Sequence, residues 1–229
     1  MTSPQGLPAI DGRRRQEDRS RVMRQRLIDA TLSCLETEGY AGTTISKIVS
    51  RAAVSRGAHV HHFPSKAALI EAAALTLVKQ QYKQLGQNFT DLASQPDRLN
   101  YMVRETWRTL FNTREQGVLL ELLVASRHDT ELAAVVQRLW QTGYTLVQGA
   151  VNHYFEPLSS EQEMAALFLQ LQWILRGMAL DRHLLPSNKL VEQQLNLWCD
   201  LASSRLRPRQ GVVTPPPRPP SWTDGKTQG

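Results

Sequence analysis

Between residues 21 and 205, apolar side chains recur at intervals of three and four, the spacing that gathers them on one face of an α-helix. No stretch keeps the strict alternation of a half-buried strand. The pattern predicts nine helices. The first spans 21–38, with Leu27, Ile28, Thr31, Cys34 and Leu35 along one side, and Gly39 follows as its stop. Thr44 is placed to cap a second helix over 45–52, Ser55 a third over 56–62, and Ser65 a fourth over 66–85. The fifth starts at Pro96 and continues to 112 with a stripe of Leu99, Val103, Trp107 and Leu110. Helices over 115–127, 130–155, 160–184 and 188–205 complete the set, the seventh and eighth halted by Pro157 and Pro186. Nine helices with short connections make an all-α protein.

Composition changes the picture at the ends. Residues 1–20 are polar and basic and predict a disordered arm, and residues 207–229, with "TPPPRPP", predict a disordered Pro-rich tail. Residues 1–66 carry eleven Lys or Arg against six Asp or Glu, whereas residues 67–206 carry twelve against fourteen. A basic head on a slightly acidic body is the footprint of a polyanion-binding module joined to something else. Cys34 and Cys199 both fall in apolar helical stretches and read as buried free thiols, which suits a reducing cytoplasm. The N-terminus lacks the apolar core of a signal peptide. The most apolar stretch, 164–180, contains Gln170, Gln172 and Arg176 and is shorter than the roughly 20 residues of a membrane span.

Three histidines, His59, His61 and His62, crowd "SRGAHVHHFPSKAALI" and raise the question of a metal site. His59 and His62 can share a helix face, but His61 points elsewhere, and no Asp, Glu or Cys stands close enough to complete about four ligands. The expectation is therefore no metal, with His62 packing and His59 and His61 facing outward. A different chemistry fits "TTISKIVSRAAVSRGAHVHHF" better. Two short helices joined at Ala53-Val54 make a helix-turn-helix, whose second helix enters the major groove. Thr43 and Thr44 open the first of them with hydroxyls and free N–H groups suited to phosphate. Small residues at the start of the second, Gly57 and Ala58, allow its backbone to come close to DNA.

The run from 24 to 72 resembles the DNA-binding region of the TetR family of bacterial transcription regulators. Gly39-Tyr40, Thr43-Thr44-Ile45, Ala53-Val54-Ser55-Arg56-Gly57 and His62-Phe63-Pro64-Ser65-Lys66 carry the likeness. It implies a helix-turn-helix domain over 21–66 and a helical effector-binding and dimerisation domain over 67–206. Thr43, Thr44 and Lys66 are expected at phosphates, and Ser55, Arg56, Gly57, Ala58, Val60 and His61 at or near base edges. Two positions depart from the family's pattern. Ala53 stands where glycine is frequent, so it is expected in a left-handed conformation that costs alanine roughly 1 kcal/mol. Val60 stands where tyrosine is usual and offers a contact for a thymine methyl instead of a hydroxyl.

The resemblance further implies a ligand pocket among helices five to seven and a homodimer through helices eight and nine. Tyr101, Trp107, Phe111, Trp140 and Tyr144, with the ionisable Glu121 and Arg176, are the pocket candidates, pointing to an apolar or aromatic effector. Leu167, Leu171, Ile174 and Met178 on helix eight, and Val191, Leu195, Trp198 and Ala202 on helix nine, are the candidate subunit faces. The expected function is a cytoplasmic, sequence-specific DNA-binding regulator: a repressor, released by ligand, that binds a palindromic operator as a dimer. An activator of the same fold is the alternative. An enzyme using the histidines is a weaker one, because the chain has no Gly-rich phosphate loop, nucleophile motif or metal-ligand set. No cofactor and no membrane partner are implied.

Overall fold

A computed structural model describes residues 9–184, 187–214 and 216, without the side chains of residues 9–13, 15, 56 and 58. Among the described residues the elements are α1 (Ala9–Gly42), α2 (Ile45–Ala52), α3 (Arg56–His62), α4 (Lys66–Leu92), α5 (Arg98–Thr106), a π-helical turn (Trp107–Phe111), α6 (Arg114–Ala125), α7 (Thr130–Tyr154), β1 (Phe155–Pro157), α8 (Glu161–Asp181), α9 (Asn188–Ser203) and β2 (Leu206–Pro208). The chain divides into two compact units, Met1–Thr76 and Leu77–Gly229, and the division falls within α4.

In the first unit, Leu27, Cys34, Ile48, Phe63, Leu69 and Ala73 share one core, so the opening turns of α4 complete the helix-turn-helix domain. The boundary thus lies beyond the expected residue 66, because Leu69 and Ala73 have their apolar partners on α1 and α2. At Gly39 the backbone turns to φ 66°, a conformation open to glycine, and regular helix gives way there as expected. The basic arm differs from expectation. Helix α1 starts at Ala9, since the stretch "AIDGRRRQEDRSR" has no proline and Asp18 pairs with Arg21 one turn on. Residues 1–8 of that arm lie outside the described part.

In the second unit the core gathers Phe89, Val103, Tyr154, Phe168, Leu195 and Trp198. Cys199 is buried there and Cys34 in the first unit, both as free thiols. The stripe Val191, Leu195, Trp198 and Ala202 belongs to this core, not to a subunit face as expected, and so does Leu171. Helix α9 instead exposes Leu190, Leu197 and Leu201, and α8 exposes Trp173, Ile174 and Leu180. Both helices are apolar on two sides, and spacing alone does not say which side looks inward.

The expected disordered tail is also corrected at its start. Leu206–Pro208 pairs antiparallel with Phe155–Pro157, opposing Arg207 and Glu156, which form an ion pair. The Arg209 N–H donates to Tyr154 O at 2.8 Å, and the His153 ring reaches Thr214 O at 2.8 Å. Pro157 frees its neighbours from helix, and the returning chain satisfies carbonyls that α7 leaves open. Residue 215 and residues 217–229 lie outside the described part. No helix among the described residues is long and apolar enough to cross a membrane.

Candidate nucleic-acid interface and ligand cavity

The helix-turn-helix is held from both ends. Thr44, extended at φ −120°, accepts the Lys47 N–H and caps α2. At the other end Ala53 adopts φ 51°, ψ 49°, the left-handed conformation expected for it. Its N–H donates to Ser50 O at 3.1 Å and that of Val54 to Val49 O at 3.2 Å. The open carbonyls of this turn are met by Arg26, whose Nη2 donates to Ala52 O at 2.6 Å and Ala53 O at 3.3 Å. Arg24, two residues earlier, lies 4.4 Å over the Phe63 ring with Nη1 3.5 Å from His62 O. Two arginines of α1 thus hold the C-terminal ends of α2 and α3, where the helix dipole favours a cation. Sequence reasoning did not find them, because no local pattern connects an arginine to a carbonyl 26 or 27 residues away. Lys47 and Arg51 pair with Glu38, and the hydrogen bond from Lys47 holds that carboxyl below its ordinary range.

Helix α3 presents Gly57, Val60 and His61 outward at helical spacing, with Val60 57% exposed. Ser55 and Thr44 are exposed beside them. No neighbour would meet a Cβ on Gly57 within 4 Å, so this end of α3 is open to a large partner. The side chains of Arg56 and Ala58 lie outside the described part. Three expectations change. Thr43 is wholly buried and its hydroxyl donates to Gly39 O at 2.7 Å, so a phosphate outside cannot reach it. His59 is buried, not outward-facing, because its position on α3 turns toward α1 and α2. Lys66 is half-buried, its ammonium 3.1 Å from Tyr40 O and 4.2 Å over the Tyr40 ring, which makes it a brace between α4 and the end of α1. Among the described residues no group of three or more His, Cys, Asp or Glu stands together to hold a metal.

The second unit contains a cavity of about 200 Å³ lined from α4, α5, the π-helical turn, α6, α7 and α8. Four of the expected residues line it: Phe111, Trp140, Tyr144 and Arg176. Trp140 and Tyr144 stack with ring centres 5.3 Å apart. The other three do not. Trp107 is buried in the core, Tyr101 packs against that core, and Glu121 is exposed. The helix carrying Trp107 does not run on to 112 as an α-helix. It widens into the π-helical turn, with the Asn112 N–H bonded to Trp107 O at 2.7 Å, and this directs Leu110 and Phe111 to the cavity.

Gln81, Tyr82 and Gln116 also line the cavity and were not among the expected residues, because nothing in the local pattern separates a cavity-lining glutamine or tyrosine from an exposed or core one. Gln81 donates to Gln116 at 3.2 Å, and Gln116 is buried. Burial pushes the Tyr82 phenol up to about 12, so it stays neutral. A Cβ at Gly143 would lie 2.7 Å from the Tyr82 hydroxyl, so glycine on α7 leaves the room that this hydroxyl occupies. Arg176 is the one charged residue in the lining, and burial pulls its pKa below the ordinary arginine value.

Residues 27–73 match the family model described as bacterial regulatory proteins, tetR family. The HTH-type transcriptional regulator CymR of Pseudomonas putida is 32% identical over 126 residues, 55% of this chain and 62% of that protein, so the match spans less than two thirds of CymR. An uncharacterized HTH-type transcriptional regulator of Mycobacterium tuberculosis is 26% identical over 198 residues, 84% of this chain and 99% of its own. In fold, the chain is similar to a putative TetR-family transcriptional regulator from Mesorhizobium loti, with a TM-score of 0.65 at 17% identity, over 81% of this chain and 97% of that one.

Proposed function

The chain belongs to the TetR family of bacterial regulatory proteins, which are DNA-binding transcription regulators and not enzymes, and from that premise we propose that it is a dimeric cytoplasmic repressor released from its operator by a small molecule. The observation that carries the DNA half of this reading is the outward face of α3, set on a turn whose carbonyls Arg26 occupies. Thr44 and the first N–H groups of α2 take a phosphate, which positions the domain without reading sequence. Ser55, Arg56, Gly57, Ala58, Val60 and His61 stand at or near base edges, where sequence is read. Lys66 acts through Tyr40, as a positioning residue.

The exposed residues of α8 and α9, Trp173, Ile174, Leu180, Leu190, Leu197 and Leu201, form the face that a second copy covers. Two recognition helices related by a two-fold axis read inverted half-sites about one or more helical turns apart. The effector binds in the cavity of the second unit and must prefer the state that does not hold the operator, since a ligand shifts an equilibrium only through differential affinity. A coupling of about 1–3 kcal/mol weakens DNA binding roughly five- to 150-fold.

Selection of duplexes from a random pool by the full-length protein tests this, with mass measured in solution. The expected result is a palindromic site, a dimer, and binding that falls steeply with salt. Asymmetric sites together with a monomeric mass would refute it. A reporter driven through the selected site separates repression from activation: deleting the regulator raises expression in the first case and lowers it in the second.

A further inference from the structure

The cavity residues divide unequally. Leucine, valine and aromatic side chains form most of the wall, the polar members are glutamine, threonine and tyrosine, and no Asp or Glu is among them. Into this wall α8 brings one cation, Arg176, on the same face as Gln172 four residues earlier. Several other arginines of this unit are answered. Arg104 meets Glu192 and Asn196, Arg108 meets Glu105, Arg205 meets Glu163, and Arg98 donates to the carbonyls of Ala93 and Arg209. Arg176 makes no hydrogen bond or ion pair among the described residues, although it is half-buried. A cation drawn out of water without a counter-charge is an unfavourable arrangement, and an arriving anion relieves it.

We propose that the effector is an amphiphilic carboxylate, with an apolar, ring-sized body against Phe111, Trp140 and Leu175 and its two oxygens on the Arg176 guanidinium. A carboxylate matches the planar fork of arginine with two parallel N–H···O bonds, and Gln172 supplies a further amide donor from the next turn. The stacked Trp140–Tyr144 pair gives a flat aromatic surface for the body. The Gln81–Gln116 pair and the neutral Tyr82 add hydrogen-bonding groups but no charge, so an anion has one electrostatic anchor and the orientation of the ligand follows from it. This inference rests on the reading of the cavity as the effector site.

The test compares 2-naphthoate with 2-naphthamide, which share a bicyclic body and differ in head-group charge, alongside 4-tert-butylbenzoate and decanoate. Affinity for the full-length dimer is measured without DNA, by calorimetry and by the tryptophan fluorescence that Trp140 contributes. The expected result is that the carboxylates bind and that 2-naphthoate exceeds 2-naphthamide by about ten- to hundredfold. This comparison uses the unaltered chain, so it stands whether or not a variant folds. In Arg176→Gln the preference for acid over amide should vanish while helicity and dimer mass persist, and Arg176→Lys should retain part of it. Equal binding of acid and amide to the unaltered protein overturns the proposal. So does a panel in which no carboxylate binds, or an Arg176→Gln variant that keeps its helicity and dimer mass and still prefers the acid. Operator release is measured separately. A carboxylate that binds through Arg176 yet leaves the operator complex intact refutes ligand release and leaves the anion site standing.

Discussion

Replacing Ala53 by glycine should make the protein more stable, an uncommon direction for a substitution in a helix-turn-helix. At φ 51°, ψ 49° the Ala53 Cβ crowds its own carbonyl, which costs an L-residue about 1–2 kcal/mol. Glycine removes that cost but surrenders more freedom on folding, about 0.4–1 kcal/mol. Ala53 is exposed, so its methyl contributes little burial to set against the change. The balance is a gain of about 0.5–1 kcal/mol. For a chain of this size that raises the melting temperature by roughly 1–4 °C. Urea unfolding of the full-length protein, followed by circular dichroism, should show a higher midpoint with an unchanged slope. The neighbouring Ala52→Gly is the control. Ala52 is helical and buried, so the same change there should lower stability by about 1–2 kcal/mol. Ala53→Val should also destabilise, because a branched Cβ worsens the clash. Operator affinity should stay the same in Ala53→Gly, since the turn already has the geometry that glycine favours. A lowered midpoint for Ala53→Gly, or an Ala53→Val protein as stable as the parent, would refute the reasoning.

Other outcomes follow from the same geometry. Arg26→Met should lower stability by about 1.5–3 kcal/mol, read by urea unfolding, because two carbonyls at the end of α2 lose a charged donor. His61→Ala should reduce the ratio of operator to random-DNA affinity by about 1–3 kcal/mol, read by competition binding, while Lys66→Met should lower the melting temperature through the lost Tyr40 brace. Burial raises the Cys199 thiol from 9.0 to about 11, so the unfolded thiol ionises first and stability should fall as pH rises through that window; Cys199→Ala should flatten this part of the pH–stability curve. Purified protein treated with chelator should keep its helicity and its operator binding, and stoichiometric zinc lost together with binding would restore a metal role for the histidines.

Local rules carried the reading a long way. Apolar spacing placed the helices, Thr44 and Ser65 announced the starts of α2 and α4, and the left-handed turn at Ala53 was expected from the resemblance to a family that often has glycine there. These features depend on interactions within a few residues, which sequence order preserves. Features made by distant residues were decided only when the chain folded. The burial of His59 and Thr43 depends on where α1 lies, and the service of Arg24 and Arg26 to α3 and α2 depends on a fold that brings residues far apart in sequence together. Helices α8 and α9 are apolar on two sides, and only packing chose Leu195 and Trp198 for the core and left Leu197 and Leu201 outside. The cavity is of the same kind. Phe111, Trp140 and Tyr144 were readable as candidates, but the π-helical turn that swings Phe111 inward, and the lack of an acid beside Arg176 among the described lining residues, are properties of several helices at once. Hydrophobic period is a one-dimensional signal that reports how much of a helix is buried; which partner buries it, and which charge goes unanswered, is settled by three-dimensional packing.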